Sequence, residues 1–133
     1  MIKLIVGAKG SGKTKTVIEM INSAAKTSSG NVVVIEKSMG LTYDIDHAAR
    51  LIDVEEYGIE GVNAMYGFMA GILAGNYDIT DLFLDGVLKS GLNLDDLGAL
   101  LAKVNAIAGE NVNVVVTVSA DVADLPESVK KYL

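Results

Sequence analysis

The sequence contains no cysteine, which excludes disulfides, thiolate metal sites and a cysteine nucleophile. That absence fits a reducing compartment, and a cytoplasmic setting is the expectation. Tryptophan is missing too, and aromatics make up only 5% of the chain. The apolar half of the composition is therefore mainly valine, isoleucine, leucine and alanine, the residues of strands buried on both faces of a parallel sheet. Arginine occurs once, at Arg50, and histidine once, at His47. The net charge is −6, and no basic cluster stands outside one glycine-rich segment. The chain thus lacks the counterion-releasing surface that grips nucleic-acid phosphates, and no nucleic-acid partner is expected. Long hydrophobic runs are scarce. The uncharged stretch Gly61–Tyr77 sits at the bottom of the roughly 17–25 residues a membrane span needs, has no basic flanks and reads as a buried helix, so no membrane association is expected. The start, Met1–Val6, is too short for a signal-peptide core and reads as a strand.

What is present alternates in a regular way along 133 residues, a length that suits one domain covering residues 1–133. Apolar runs at Ile2–Val6, Val32–Ile35, Leu51–Val54, Ile79–Leu84 and Val112–Val118 predict five strands. Between them lie helical patterns. Val17, Ile18, Ile21, Ala24 and Ala25 share one helix face, ended near Gly30. Asn93 predicts an N-cap, with Asp95 and Asp96 in the first turn. The stripe Leu94, Leu97, Leu100, Leu101, Val104, Ile107 and Ala108 then runs to Gly109. Pro126 opens a short final helix. In the Gly61–Asn76 helix, Gly67, Gly71 and Gly75 fall on one face, which predicts close packing on the sheet or, alternatively, a subunit contact; a homo-oligomer stays open. Strands separated by helices predict right-handed parallel crossovers, with ligands at the carboxyl ends of the strands. The expected fold class is α/β, a three-layer sandwich of the P-loop nucleoside-triphosphatase type with a mainly parallel sheet of about five strands.

Gly7-Ala8-Lys9-Gly10-Ser11-Gly12-Lys13-Thr14 matches G-x-x-x-x-G-K-[ST] and stands between a predicted strand and a predicted amphipathic helix. Glycines at 7, 10 and 12 allow a turn tight enough to aim successive backbone N–H groups at one phosphate. Lys13 adds a cation for the β- and γ-phosphates, and the Thr14 hydroxyl is placed to coordinate Mg²⁺. The helix start contributes about half a positive charge. Lys9 and Lys15 flank the loop, either screening phosphate charge or lying simply solvated. Mg²⁺ bound to phosphates is held by one or two acidic groups. Asp85, closing Leu82-Phe83-Leu84, is the candidate; a bare Asp85-Gly86 turn is the alternative. No N-K-x-D or T-K-x-D segment of the guanine-binding type occurs, which favours ATP over GTP.

Beyond the loop, the apolar run Val32–Ile35 of the segment Val32–Ser38 is closed by Glu36, and Val114-Val115-Val116-Thr117-Val118-Ser119 ends in a hydroxyl. With the phosphate loop and Leu82–Asp85, these segments resemble the RecA-like branch of P-loop ATPases. The chain is also similar to small bacterial ATP-binding proteins labelled as relatives of the twitching-motility ATPase PilT. The resemblance implies that Glu36 polarises the attacking water, that Asp85 holds the metal, and that Ser119, or Thr117, senses the γ-phosphate. Gly86 follows Asp85 where many such ATPases carry a catalytic Glu, so Glu36 is the base the resemblance leaves. Recombination and pilus retraction are not expected of a chain this short. Arg50, the one arginine, reads as a surface charge leading into a strand, and so does its neighbour His47.

Three functions follow as expectations. The first is a slow Mg-dependent ATPase with Lys13 and Glu36 as catalytic residues. The second is a nucleotide-responsive binding module with negligible turnover, whose segment from Lys37 to Asp53 presents itself to a protein partner. A small-molecule kinase ranks last, because no arginine-bearing lid is recognisable.

Overall fold

The computed structural model describes residues 1–37 and 40–133. Its strands are β1 (Ile2–Gly7), β2 (Asn31–Glu36), β3 (Ala49–Asp53), β4 (Ile79–Leu84) and β5 (Asn113–Ser119). Its helices are α1 (Lys13–Thr27), α2 (Val62–Gly75), α3 (Leu94–Ala108) and α4 (Glu127–Lys130), with single 3-10 turns at Val87–Ser90 and Val122–Asp124. The strands form one sheet in the order β1-β5-β4-β2-β3, and every adjacent pair is parallel. All five carboxyl ends therefore lie along the same margin.

Side-chain alternation splits each strand between two cores. On one face Val33, Ile35, Leu82, Leu84, Val114, Val116 and Val118 pack with Met65 and Met69 of α2, Leu97, Leu100, Leu101 and Val104 of α3, and Val129 of α4. On the other, Val32, Val34, Phe83 and Val115 pack with Val17 and Ile21 of α1. Helices on both sides of one sheet make the three-layer α/β sandwich that the alternating pattern predicts. Among the described residues, no helix is long and apolar enough to cross a membrane.

Parallel neighbours need a crossover, usually a helix, yet between β2 and β3 the described residues contain none. The connecting segment instead lies on the α1 face, with Leu41 buried there and Ile45 partly buried beside it. Asn22 of α1 holds it: the Asn22 amide donates to the Asp44 carbonyl at 3.0 Å and its oxygen accepts from Asp46 N–H at 2.7 Å. One asparagine thus fixes two points of a loop that stands in for a helix.

α3 starts as its sequence predicts. Asn93 accepts from Asp96 N–H at 2.8 Å and Asp96 accepts from Asn93 N–H at 3.2 Å, a reciprocal cap. At Gly98 the helix meets α4 so closely that an added Cβ would lie 2.7 Å from Ser128 Cβ. Two expectations are corrected. Ile107 is 41% exposed, so the buried stripe of α3 passes from Val104 to Ala108 without it. The glycines of α2 do not press on the sheet: an added Cβ at Gly67, Gly71 or Gly75 meets nothing within 4 Å. α2 faces inward through Met65 and Met69 and turns its glycines to solvent.

Candidate functional site

β1 ends at Gly7 and α1 begins at Lys13, leaving a five-residue turn between them. Ser11 N–H donates to the Ala8 carbonyl at 3.0 Å, and Gly10 and Gly12 take left-handed backbone angles, φ 84° and 90°. An L-residue resists that region, which is why glycine stands at both places. The turn folds back onto the end of β1, and a Cβ on Gly7 would collide with the Ser11 hydroxyl. Lys13 Nζ donates to the Ala8 carbonyl at 3.1 Å, so the ammonium arches over the loop that precedes it. Gly10, Gly12, Lys13, Thr14 and Lys15, with Ile18 and Glu19 below them, line a shallow depression at the head of α1. Lys9 and Lys15 are both exposed at its flanks.

The other sequence-predicted residues gather on the carboxyl margin of the sheet. Ser119 is the register partner of Gly7 and is exposed. β5 therefore delivers a hydroxyl directly beside the start of the loop. Asp85 follows β4, and Glu36 closes β2 next to it; Asp85 N–H donates to the Ile35 carbonyl at 2.9 Å. Asp53, the register partner of Glu36, ends β3. Strand alternation puts Thr117, Asp85, Glu36 and Asp53 on the α1 face, because Val115, Phe83, Val34 and Leu51 two residues earlier all belong to the core on that side. Arg50 is exposed on β3, the edge strand farthest from β1. About 19 Å of sheet separates the two strands at the usual inter-strand spacing. Arg50 and His47 are surface residues, as expected.

Glu36 differs from the neighbouring carboxylates Asp85 and Asp53 in being only 3% exposed. Its carboxylate accepts from Leu41 N–H at 2.9 Å. Burial pushes its pKa above the ordinary glutamate range, the Leu41 N–H opposes that shift, and the negative charges of Asp85 and Asp53 reinforce it. A carboxyl whose folded pKa exceeds its unfolded one contributes stability at low pH, and that contribution is lost as pH rises through the folded value. Urea unfolding from mildly acid to neutral pH should therefore show the wild type losing stability relative to Glu36→Gln. The glutamine retains an oxygen for Leu41 N–H and has no charge to desolvate. A pH-independent difference between the two proteins would rule out a buried ionising Glu36.

Thr117 is not placed as a phosphate sensor. It is 3% exposed, donates to Asp85 Oδ1 at 2.6 Å and accepts from Gly86 N–H at 3.1 Å. Of the two hydroxyls at the end of β5, Ser119 is the one in line with the loop. The sequence offered both without choosing, and strand register separates them.

A metal site made wholly of protein is absent among the described residues, where no group of three or more His, Asp or Glu is placed to hold an ion. Mg²⁺ carried by nucleotide phosphates needs only one or two protein oxygens and keeps several waters. The exposed Thr14 at the head of α1 and Asp85, with one oxygen engaged by Thr117, meet that smaller requirement. A Cβ-free cradle at Gly7, Gly10 and Gly12 likewise suits an anion held by backbone N–H groups. Sequence reasoning missed a second concavity, between α1 and the amino ends of β1, β4 and β5, lined by Lys3, Glu19, Asp81, Phe83 and Asn113. No motif signals it, since its walls come from separate elements.

Neither a protein-family profile nor a curated protein matches this sequence.

Proposed function

We propose that the chain binds ATP with Mg²⁺ on the Gly7–Thr14 loop. What supports this most is the cradle itself: two left-handed glycines and a Cβ-free Gly7, closed by the Lys13 ammonium and leading into a 15-residue helix. Backbone N–H groups and the helix start hold phosphate oxygens, and Lys13 exchanges the Ala8 carbonyl for the β- and γ-phosphates. Thr14 and Asp85 would hold the ion, which when bound would supply positive charge beside the phosphates. Ser119, beside Gly7, reaches the terminal phosphate. The chain resembles RecA-like ATPases in this arrangement, and a slow ATPase is the reaction the residues fit.

A binding module with little turnover is the second reading, and one observation favours it. Glu36, the only base the resemblance supplies, is buried, and one of its two carboxylate oxygens already accepts from Leu41 N–H. Titration calorimetry with Mg²⁺ and ATP tests the binding claim, and absence of heat in the wild type would end it. Steady-state phosphate release then separates the two readings. Turnover that disappears in Glu36→Gln while ATP affinity persists supports hydrolysis; no turnover in either protein supports the module.

A further inference from the structure

The run Val114-Val115-Val116-Thr117-Val118 puts one hydroxyl among buried valines. A buried hydroxyl costs free energy unless it is fully bonded, so its partners indicate why it is there. A backbone N–H can only donate, so the 3.1 Å contact from Gly86 uses a lone pair of Thr117 Oγ1. The single hydroxyl proton is then left for Asp85 Oδ1 at 2.6 Å. Neither bond can reverse. Gly86 itself has φ 69°, a left-handed turn immediately after the carboxylate, so the Asp85 side chain and the backbone that follows it are both tied to Thr117 Oγ1.

We infer that Thr117 is a positioning residue for the metal-binding carboxylate: it occupies Asp85 Oδ1, fixes the rotamer, and leaves Oδ2 as the oxygen offered to Mg²⁺. This rests on the proposed nucleotide site. It gives the two hydroxyls of β5 separate tasks, Thr117 toward β4 and Ser119 toward the loop on β1. Thr117 touches neither nucleotide nor ion; its effect passes through Asp85. Partners of this kind, behind a metal ligand, change metal affinity by about 10–100-fold when removed.

Thr117→Val keeps the shape of the side chain and fits a strand of valines, while Thr117→Ser keeps the hydroxyl. ATP affinity measured across a Mg²⁺ titration should show the Mg²⁺ midpoint of Thr117→Val raised about tenfold or more. Thr117→Ser should stay within a few-fold of wild type, and ATP affinity without Mg²⁺ should be the same in all three. An unchanged Mg²⁺ midpoint in Thr117→Val overturns the inference. So does an equal loss of affinity with and without Mg²⁺, which marks a merely structural role. If Thr117→Val does not fold, the same titration on Thr117→Ala and on Thr117→Ala combined with Asp85→Asn decides. Supporting data are a raised midpoint in the first with no further rise in the second, and additive rises overturn it. Wild-type protein that binds ATP without any Mg²⁺ dependence overturns the role of Thr117 but leaves the phosphate loop standing, whereas no ATP binding at all removes both.

Discussion

Lys13→Ala should weaken binding of ATP with Mg²⁺ by about 10- to 150-fold, the equivalent of one charge-assisted hydrogen-bonding group worth about 1.5–3 kcal/mol. The expectation follows from where the ammonium stands. It is half-buried at the first position of α1 and donates to the Ala8 carbonyl, inside the Gly7–Thr14 loop. Lys9 and Lys15 are exposed, unlike half-buried Lys13, so Lys9→Ala and Lys15→Ala should each change affinity only a few-fold. Calorimetry on the three variants makes the comparison, with urea unfolding as the control. Because the Lys13 bond lies within an exposed loop, the unfolding midpoint should barely move. Equal losses in all three variants would mean diffuse charge attraction and would refute a specific cradle.

The largest stability effect is expected at Phe83→Ala, about 3–5 kcal/mol of lost stability by urea unfolding. Phe83 is 2% exposed and is among the largest fully buried side chains. It sits on the α1 face between Val34 and Val115, its register partners on either side, and packs with Val17 and Ile21 of the helix that follows the loop. It also floors the concavity beneath α1, so the space left by truncation opens toward an existing groove and has few neighbours able to close it. Ile107→Ala is the contrast. Removing side-chain hydrocarbon, though less of it than at Phe83, from a 41% exposed position should cost within about 0.5 kcal/mol. Similar losses at both sites would contradict the burial assigned to Phe83.

How far the sequence could be read depended on whether a feature was local. The phosphate loop is contiguous, and every dihedral it needs is declared by its own glycines. The Asn93–Asp96 cap and the strand Ile79–Leu84 were equally legible, being set by neighbours three residues apart or by a run of like residues. The glycine face of α2 was misread for a physical reason. That helix is apolar nearly all round and carries no charge over 14 residues, so spacing shows that Gly67, Gly71 and Gly75 share a side without showing which side faces the sheet. The stand-in crossover through Leu41 was hidden because a polar, glycine-containing segment gives no periodic signal. The candidate site was legible residue by residue but not as a network. That Thr117 meets Asp85, while Ser119 meets Gly7, depends on which strands are neighbours, and pairing between segments distant in the chain leaves no mark in either segment alone.

The position of β5 between β1 and β4 fixes a length. Adjacent strands stand about 4.8 Å apart, so one intervening strand sets the phosphate loop and the acidic strand end roughly 10 Å from each other. That gauge is written in main-chain ladders on both sides of β5, and no single side chain maintains it. Substitutions around the margin can change which side chains face it, but the gap between those positions stays constant as long as the sheet is intact.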